Sequence, residues 1–245
     1  MSEFQFKRFT VINDKSAMKV NTDGVLLGAA MTISPEDSHI LDIGTGTGTI
    51  ALMAAQRLSD ARNTAGRDNM PLSVIGIDID KDSAEEAQTN FLRSPWAESM
   101  EALNCPLEEF ECDECLDLIF SNPPYFENSL QNPIQRKSNA RHTGTLSYRE
   151  ILHFCEGHLA PKGRLSLVLP ADLEKDLCRY ARMCGFRPFR VLRISTVARK
   201  APSRIVIEFS RERVETVVEN LVIHEGGSWS EAYRLLTEDF YIHLA

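Results

Sequence analysis

The stretch from His39 to Leu58 constrains the fold more than any other part of the chain. His39-Ile40-Leu41-Asp42-Ile43 is a short apolar run of the kind that fills a buried strand, and Gly44-Thr45-Gly46-Thr47-Gly48 follows it without pause. From Thr49 to Leu58 the residues are mainly good helix formers. Strand, glycine-rich turn and helix in immediate succession open a nucleotide-binding α/β unit. The glycines let a ligand approach the backbone closely, and the helix N-terminus behind them favours polar or anionic groups.

The dinucleotide spacing G-x-G-x-x-G is not met. Counting from Gly44 gives Gly46 and then Thr49; counting from Gly46 gives Gly48 and then Ala51, where a small residue can serve. Spacing alone leaves a nicotinamide cofactor open. Asp42, two residues before the first glycine, tips the balance. A carboxylate at a strand end can hold water or an ammonium group, and S-adenosylmethionine carries an α-amino group where NAD has nothing comparable. The next strand, Val74 to Asp78, ends in an acid suited to the paired hydroxyls of a ribose. Asp78 is preferred to Asp80 because it ends the apolar run directly, and Asp82 or Ser83 can cap the helix that follows.

A second chemical feature is Asn122-Pro123-Pro124-Tyr125, which follows the apolar strand Leu116 to Phe120. Two prolines fix two φ angles and remove two backbone donors, and each pushes the residue before it toward extended geometry. The result is a stiff ledge with an amide at one end and an aromatic ring at the other. The Asn122 side-chain carbonyl and the Pro123 carbonyl can accept the two hydrogens of an exocyclic amine. Tyr125 offers a face on which a planar ring can stack. Phe126 either joins that stack or belongs to the core.

Taken in order, Phe4 to Val11 alternates as a strand, Asn13-Asp14 marks a turn, and Ala17 to Val20 returns as a second strand. Asn21 or Thr22 caps a short helix carrying Val25, Leu26 and Ala29. Beyond the glycine turn, Ser59 to Pro71 reads as a polar loop. Lys81 to Arg93 is a helix, Met100 to Cys105 a strand, and Tyr148 to Leu159 a helix. A turn at Pro161-Lys162-Gly163 then leads into strand Arg164 to Leu169. Ala171 to Cys184 is a helix, Phe189 to Ile194 and Ile205 to Ser210 are strands, and Trp229 to Tyr241 is an outer helix. Alternating strands and helices predict an α/β fold with a doubly wound, mainly parallel, seven-stranded Rossmann-like sheet and an antiparallel C-terminal edge strand. The 245 residues suit a single domain, with 1–35 as a small N-terminal β/α extension and 36–245 as the core.

Charge is unevenly spread. The net charge of −8 argues against a general polyanion binder. Yet Glu98 to Asp117 holds eight acids and no base, whereas Arg187 to Arg204 holds six bases and no acid, and Gln131 to Arg149 holds four bases and no acid. One acidic and one basic side follow, the basic side being a footprint for nucleic-acid phosphates. Arg136, Lys137, Arg141, Arg199, Lys200 and Arg204 are the expected contacts. No apolar run approaches the roughly 18 residues of a membrane span, and Met1 to Thr10 has no signal-peptide core. Six scattered cysteines fit reduced thiols in a cytoplasmic protein. The Cys112-x-x-Cys115 pair lacks the second pair or the histidines that a zinc site needs, so no metal is expected.

Asp42-x-Gly44-x-Gly46-x-Gly48, Asp78 and Asn122-Pro123-Pro124-Tyr125 together resemble the class I S-adenosylmethionine-dependent methyltransferases. Their N-P-P-Y members methylate exocyclic amines of bases or a glutamine side-chain amide. A closer resemblance runs through Phe9-Thr10-Val11-x-x-Asp14 and Ala17 to Gly28, with Ala140-Arg141-His142 and Ala201-Pro202-Ser203-Arg204. These are similar to the bacterial tRNA adenine-N6 methyltransferases that act on adenine 37 of valine tRNA. The resemblance implies Asn122, Pro123 and Tyr125 as catalytic residues, with Pro124 and Phe126 against the substrate. It places Asp42, Gly44, Gly46, Gly48, Asp78, Lys19, Thr22 and Asn122 near the cofactor, S-adenosyl-L-methionine. The implied partner is a valine tRNA, with no membrane and no obligate protein partner. Where many relatives carry an acid for the cofactor's adenine amine, this chain has Pro106, so Asn104 or Glu108 substitutes or the ring is held by apolar contacts. The other readings are methylation of rRNA guanine or of a protein glutamine, and a catalytically silent RNA-binding module of the same fold.

Overall fold

The N-terminal strands β1 (Glu3–Gln5) and β2 (Thr10–Ile12) form a two-stranded antiparallel hairpin, followed by helix α1 (Thr22–Ala30). The computed structural model describes residues 2–16, 18–67, 69–124 and 146–243. The glycine-turn unit supplies β3 (His39–Ile43) and α2 (Thr49–Ala65). Then come β4 (Ser73–Asp78), α3 (Lys81–Leu92), β5 (Met100–Asn104) and β6 (Leu116–Ser121). The C-terminal part adds α4 (Tyr148–His158), β7 (Leu159–Pro170), α5 (Glu174–Met183), β8 (Arg187–Val197) and β9 (Arg204–Ser210). It closes with β10 (Val217–Glu225), β11 (Ser228–Trp229) and α6 (Glu231–Thr237).

Among the described residues, β3 to β11 form one nine-stranded sheet in the order β11-β10-β8-β9-β7-β6-β3-β4-β5. The pairs from β5 through β7 are parallel, and β9 runs antiparallel to both β7 and β8. Burial on both faces explains the near-continuous apolar runs of the central strands. Ile40, Val74, Leu118 and Phe120 point toward α1, α2 and α3. Leu41, Ile43, Ile119 and Leu167 point the other way, under α4 and α5. The sheet is therefore doubly wound, as the alternation of elements predicts.

Several boundaries differ from the sequence reading. The N-terminal hairpin turns at Phe6–Phe9, where Phe6 N donates to Phe9 O, and no strand forms over residues 18–20. Phe6 and Phe9 stack with centroids 4.6 Å apart, so the aromatic alternation marks a packed turn. α2 runs on through the expected loop to Ala65 and stops where Gly66 adopts a left-handed φ of 66°. The polar look of that stretch misleads because Arg62 is buried, donating to the carbonyls of Asp37, Met70 and Pro71. The turn expected at Pro161 to Gly163 is instead an irregularity inside β7: Leu116 faces Leu159, but Leu118 already faces Arg164. Two strands exceed the expected seven, since β10 pairs parallel with β8 and β11 folds back on β10. The last helix is accordingly shorter than expected, with Ser230 rather than Trp229 at its cap.

Candidate active site

Neighbouring strands deliver the functional groups to one end of the sheet. β3 ends in the glycine turn, β4 in Asp78, β5 in Asn104 and β6 in Ser121-Asn122. Gly44, Gly46 and Gly48 all take left-handed φ values of 71°, 56° and 78°. At Gly48 the requirement is double, because an added Cβ would lie 2.5 Å from the Phe91 ring. Gly44 N and Thr45 N both donate to Ile77 O at 2.9 Å, which ties the turn to β4. No side chain caps Gly48 at the start of α2, leaving a helix N-terminus that faces the turn.

Asp42 is fully buried behind that turn. Its Oδ2 accepts from Thr45 Oγ1 at 2.8 Å, and its Oδ1 has no hydrogen-bond partner among the described residues. Thr45 reaches it because Gly76 leaves room: a Cβ there would stand 2.7 Å from Thr45 Oγ1. Burial pushes the Asp42 carboxyl up to about 7; the Thr45 hydroxyl opposes the rise, and the Asp78 charge adds to it. The Ala51 N–H favours the ionised form without closing a hydrogen bond on Oδ1. A buried carboxylate with one unsatisfied oxygen is costly unless a cation or donor completes it.

Asp78 Oδ2 accepts from Gly46 N and its Oδ1 from Asp80 N, both at 2.9 Å. Burial raises its carboxyl, and these two N–H groups pull against that rise. Asp80, not Asp78, caps α3 by accepting from Ser83 N. Asp78 is thus tied to the glycine turn rather than to the start of α3.

The wall facing the turn is the segment from Met18 to Gly24. Met18, Lys19, Asn21, Gly24 and Asn122 line a small pocket together with the turn. Asn21 caps α1, its Oδ1 accepting from Gly24 N at 2.9 Å. Lys19 lines the pocket, but its Nζ donates to Asp14 O, and Thr22 is exposed in the first turn of α1. Two α3 residues that the sequence reading missed hold this wall. The buried Glu86 carboxylate accepts from the backbone N–H groups of Asp14, Lys15 and Ser16. Asn90 bonds both backbone groups of Ile12 and also Thr47 O, so it joins the N-terminal segment to the glycine turn. A polar residue every fourth position on the inner face of a helix, here 86 and 90, is the signal that identifies them.

Asn122 is buried at the end of β6, where Ser121 Oγ donates to Ile43 O at 2.6 Å. Its Nδ2 points at the Met18 sulfur, 3.6 Å away, so the amide sits between the end of β6 and the pocket wall. Pro123 is buried and Pro124 exposed. Tyr125, Phe126, Arg136, Lys137 and Arg141 lie outside the described residues. The structure thus brings Asp42, Gly44, Gly46, Gly48, Asp78, Lys19, Asn122 and Pro123 together.

Three of the six bases from Arg187 to Arg204 are paired with acids. Arg190 bonds Glu208 and Glu219, Arg193 makes two bonds to Glu174, and Arg204 bonds Asp23. Arg199 and Lys200 are exposed in the β8–β9 hairpin. Pairing of Pro170 with Arg204, and of Ile194 with Arg204, puts that hairpin at the same end of the sheet as Asn122.

A doubly wound sheet with an acid-backed glycine turn beside an N-P-P ledge defines a class I methyltransferase. Residues 34–238 match the family model described as a methyltransferase domain. The fold is shared with a predicted O-methyltransferase from Agrobacterium tumefaciens, at a TM-score of 0.62 and 17% identity, covering 89% of this chain and 96% of that one. It is shared too with a methyltransferase from Pyrococcus furiosus, at 0.56 and 18%, covering 82% and 88%. The tRNA1(Val) (adenine(37)-N6)-methyltransferase of Parabacteroides distasonis is 41% identical over 98% of both chains. That of Photobacterium profundum is 36% identical, again over 98% of both. The chain belongs to the tRNA1(Val) (adenine(37)-N6)-methyltransferase family.

Proposed function

We propose that this protein methylates the N6 amine of adenine 37 in the anticodon loop of valine tRNA, using S-adenosylmethionine. The observation that carries the reading is the position of Asn122, buried beside the glycine-turn pocket and joined to its wall through Met18. The residues present fit the cofactor. The unsatisfied Asp42 Oδ1 suits an ammonium group or a water bridging to one, the glycine turn admits a close-lying chain, and Asp78 suits ribose hydroxyls. When bound, the cofactor supplies an electrophilic methyl group.

The chain's own residues position the acceptor. An adenine amine is a poor nucleophile because its lone pair is delocalised into the ring. Accepting its two hydrogens at the Asn122 side chain and the Pro123 carbonyl draws the nitrogen toward sp³ character and aims the lone pair. No strong base is required at Asn122, since the proton leaves after the carbon–nitrogen bond forms. Positioning of this kind supplies on the order of 7–11 kcal/mol of barrier lowering. The adenine must leave its stack, at about a few kcal/mol, and stacking on Tyr125 returns roughly 1–3 kcal/mol. Arg199 and Lys200, with Arg136, Lys137 and Arg141 of the sequence after the ledge, hold phosphates. A tRNA substrate implies a cytoplasmic site of action.

The test is transfer of labelled methyl from S-adenosylmethionine to unmodified valine tRNA, beside a transcript with guanine at position 37. Label in the first and none in the second is expected. Label in both, or in neither while the cofactor binds, overturns the assignment.

A further inference from the structure

The Asn122 side chain ends in two atoms that are alike in shape and opposite in function: Oδ1 accepts a hydrogen bond and Nδ2 donates one. The acceptor role given to Asn122 above needs Oδ1 toward the target amine. A half-turn of the amide would set donor against donor and leave the amine unheld. The site therefore needs a group that tells the two ends apart.

Met18 is placed to do this. Its sulfur lies 3.6 Å from Asn122 Nδ2. A thioether accepts weakly and donates nothing, so it favours the nitrogen end of the amide beside it and disfavours the oxygen end. Asn122 is buried, where a mismatch of polar groups costs most, and Met18 lines the pocket while 37% exposed. The backbone of Met18 is fixed from two sides. Ser16 Oγ donates to Met18 O at 3.1 Å, and Ser16 N donates to Glu86 of α3 at 3.0 Å. Across from it the glycine turn leaves contact room and no more: a Cβ on Gly46 would stand 3.6 Å from Met18 O.

We propose that Met18 is a positioning residue for methyl transfer: its sulfur holds the Asn122 amide with Nδ2 toward the pocket wall and Oδ1 presented to the exocyclic amine of the target base. An oxygen acceptor in the same place would orient the amide too, but it would compete with Asn122 for the hydrogens of the amine. A weak sulfur acceptor orients the amide without diverting the substrate. This rests on the acceptor role of Asn122 in the proposed function and names what sets it.

The experiment is a double-mutant cycle read by single-turnover methyl transfer to valine tRNA, with affinity for S-adenosylhomocysteine measured beside it. Met18→Leu nearly conserves volume and removes the acceptor. It should slow transfer roughly three- to tenfold, the scale of one lost hydrogen bond, while the affinity changes by less than about twofold. In Asn122→Asp there is no donor to orient, and the carboxylate oxygen facing the sulfur is itself an acceptor. In that background Met18→Leu should leave the rate within about twofold or raise it. An equal loss in both backgrounds, or no loss beside the native Asn122, overturns the proposal. So does a loss of transfer matched by an equal loss of affinity, which would make Met18 a part of the cofactor wall alone. A wild type that binds S-adenosylhomocysteine and transfers no methyl to valine tRNA overturns the proposed function, and this role with it.

Discussion

Arg204 Nε donates to Asp23 Oδ2 at 2.8 Å, joining the first residue of β9 to the first turn of α1. The bond links the hairpin that carries Arg199 and Lys200 to the helix whose start walls the pocket. The side chains are 35% and 22% exposed, so a double-mutant cycle between Arg204→Ala and Asp23→Ala should give a coupling of at most about 1 kcal/mol. The larger consequence is for RNA. Replacing Arg199 and Lys200 together should lower the slope of log Kd for tRNA against log salt by roughly 1.5, whereas Arg204→Ala should barely move it, because its guanidinium already serves Asp23. Equal slope changes for the two variants would mean that Arg204 leaves Asp23 for phosphate.

Glu86 makes the strongest single connection between α3 and the pocket wall. Glu86→Ala removes an acceptor from three consecutive backbone N–H groups, at Asp14, Lys15 and Ser16. A loss of about 2 kcal/mol of stability is expected, since two of those groups are near enough to the surface to find water. Affinity for S-adenosylhomocysteine should fall as the segment before Met18 loosens. Hydrogen exchange at residues 14–16 should accelerate in this variant, and unchanged exchange would show that Asn90 alone holds the wall.

If Asp42 holds the cofactor's amino group as proposed, ligand binding should depend on pH. Its carboxyl is raised by burial to about 7, above the ordinary aspartate value. A raised acid favours the protonated folded state, so its contribution to the stability of the unliganded protein is present at low pH. That contribution is lost as pH climbs from about 4 toward 7. A cationic amino group at Oδ1 needs the ionised form, so binding of S-adenosylhomocysteine should release a proton below pH 7 and tighten as pH rises to that point. Asp42→Asn should flatten both trends. Calorimetry in buffers of different ionisation enthalpy reads the proton release directly.

The central sheet and its glycine turn were legible because local pattern and tertiary role agree there: strands buried on both faces are apolar throughout, and only glycine fits at Gly48. Asp78 was legible for the same reason, ending an apolar run at the sheet end. β10 was not, because Val217 to Asn220 are exposed and show no alternation of buried and open positions. The extent of α2 was hidden by Arg62, a buried cation whose partners are carbonyls far along the chain. The basic stretch from Arg187 to Arg204 read as one footprint because its acids, Asp23, Glu174, Glu208 and Glu219, come from elsewhere in the sequence. Charge runs reveal composition, while pairing is set by topology.

Asn122 bears the sharpest prediction. On the proposed function its side chain accepts from the target amine, while its Nδ2 is directed at Met18. Asn122→Ala removes the acceptor and should lower methyl transfer by at least about 100-fold, the scale on which misplacement of a reacting group acts. The pocket is formed mostly by the glycine turn and by Met18 to Gly24, so affinity for S-adenosylhomocysteine should change only a few-fold. Asn122→Asp keeps an acceptor and loses the donor to Met18, so it should retain more activity than Asn122→Ala and less than the wild type. Single-turnover transfer to valine tRNA, measured beside cofactor binding, separates the two roles. If Asn122→Ala loses binding and transfer in proportion, Asn122 shapes the cofactor pocket and the acceptor role passes to the Pro123 carbonyl alone.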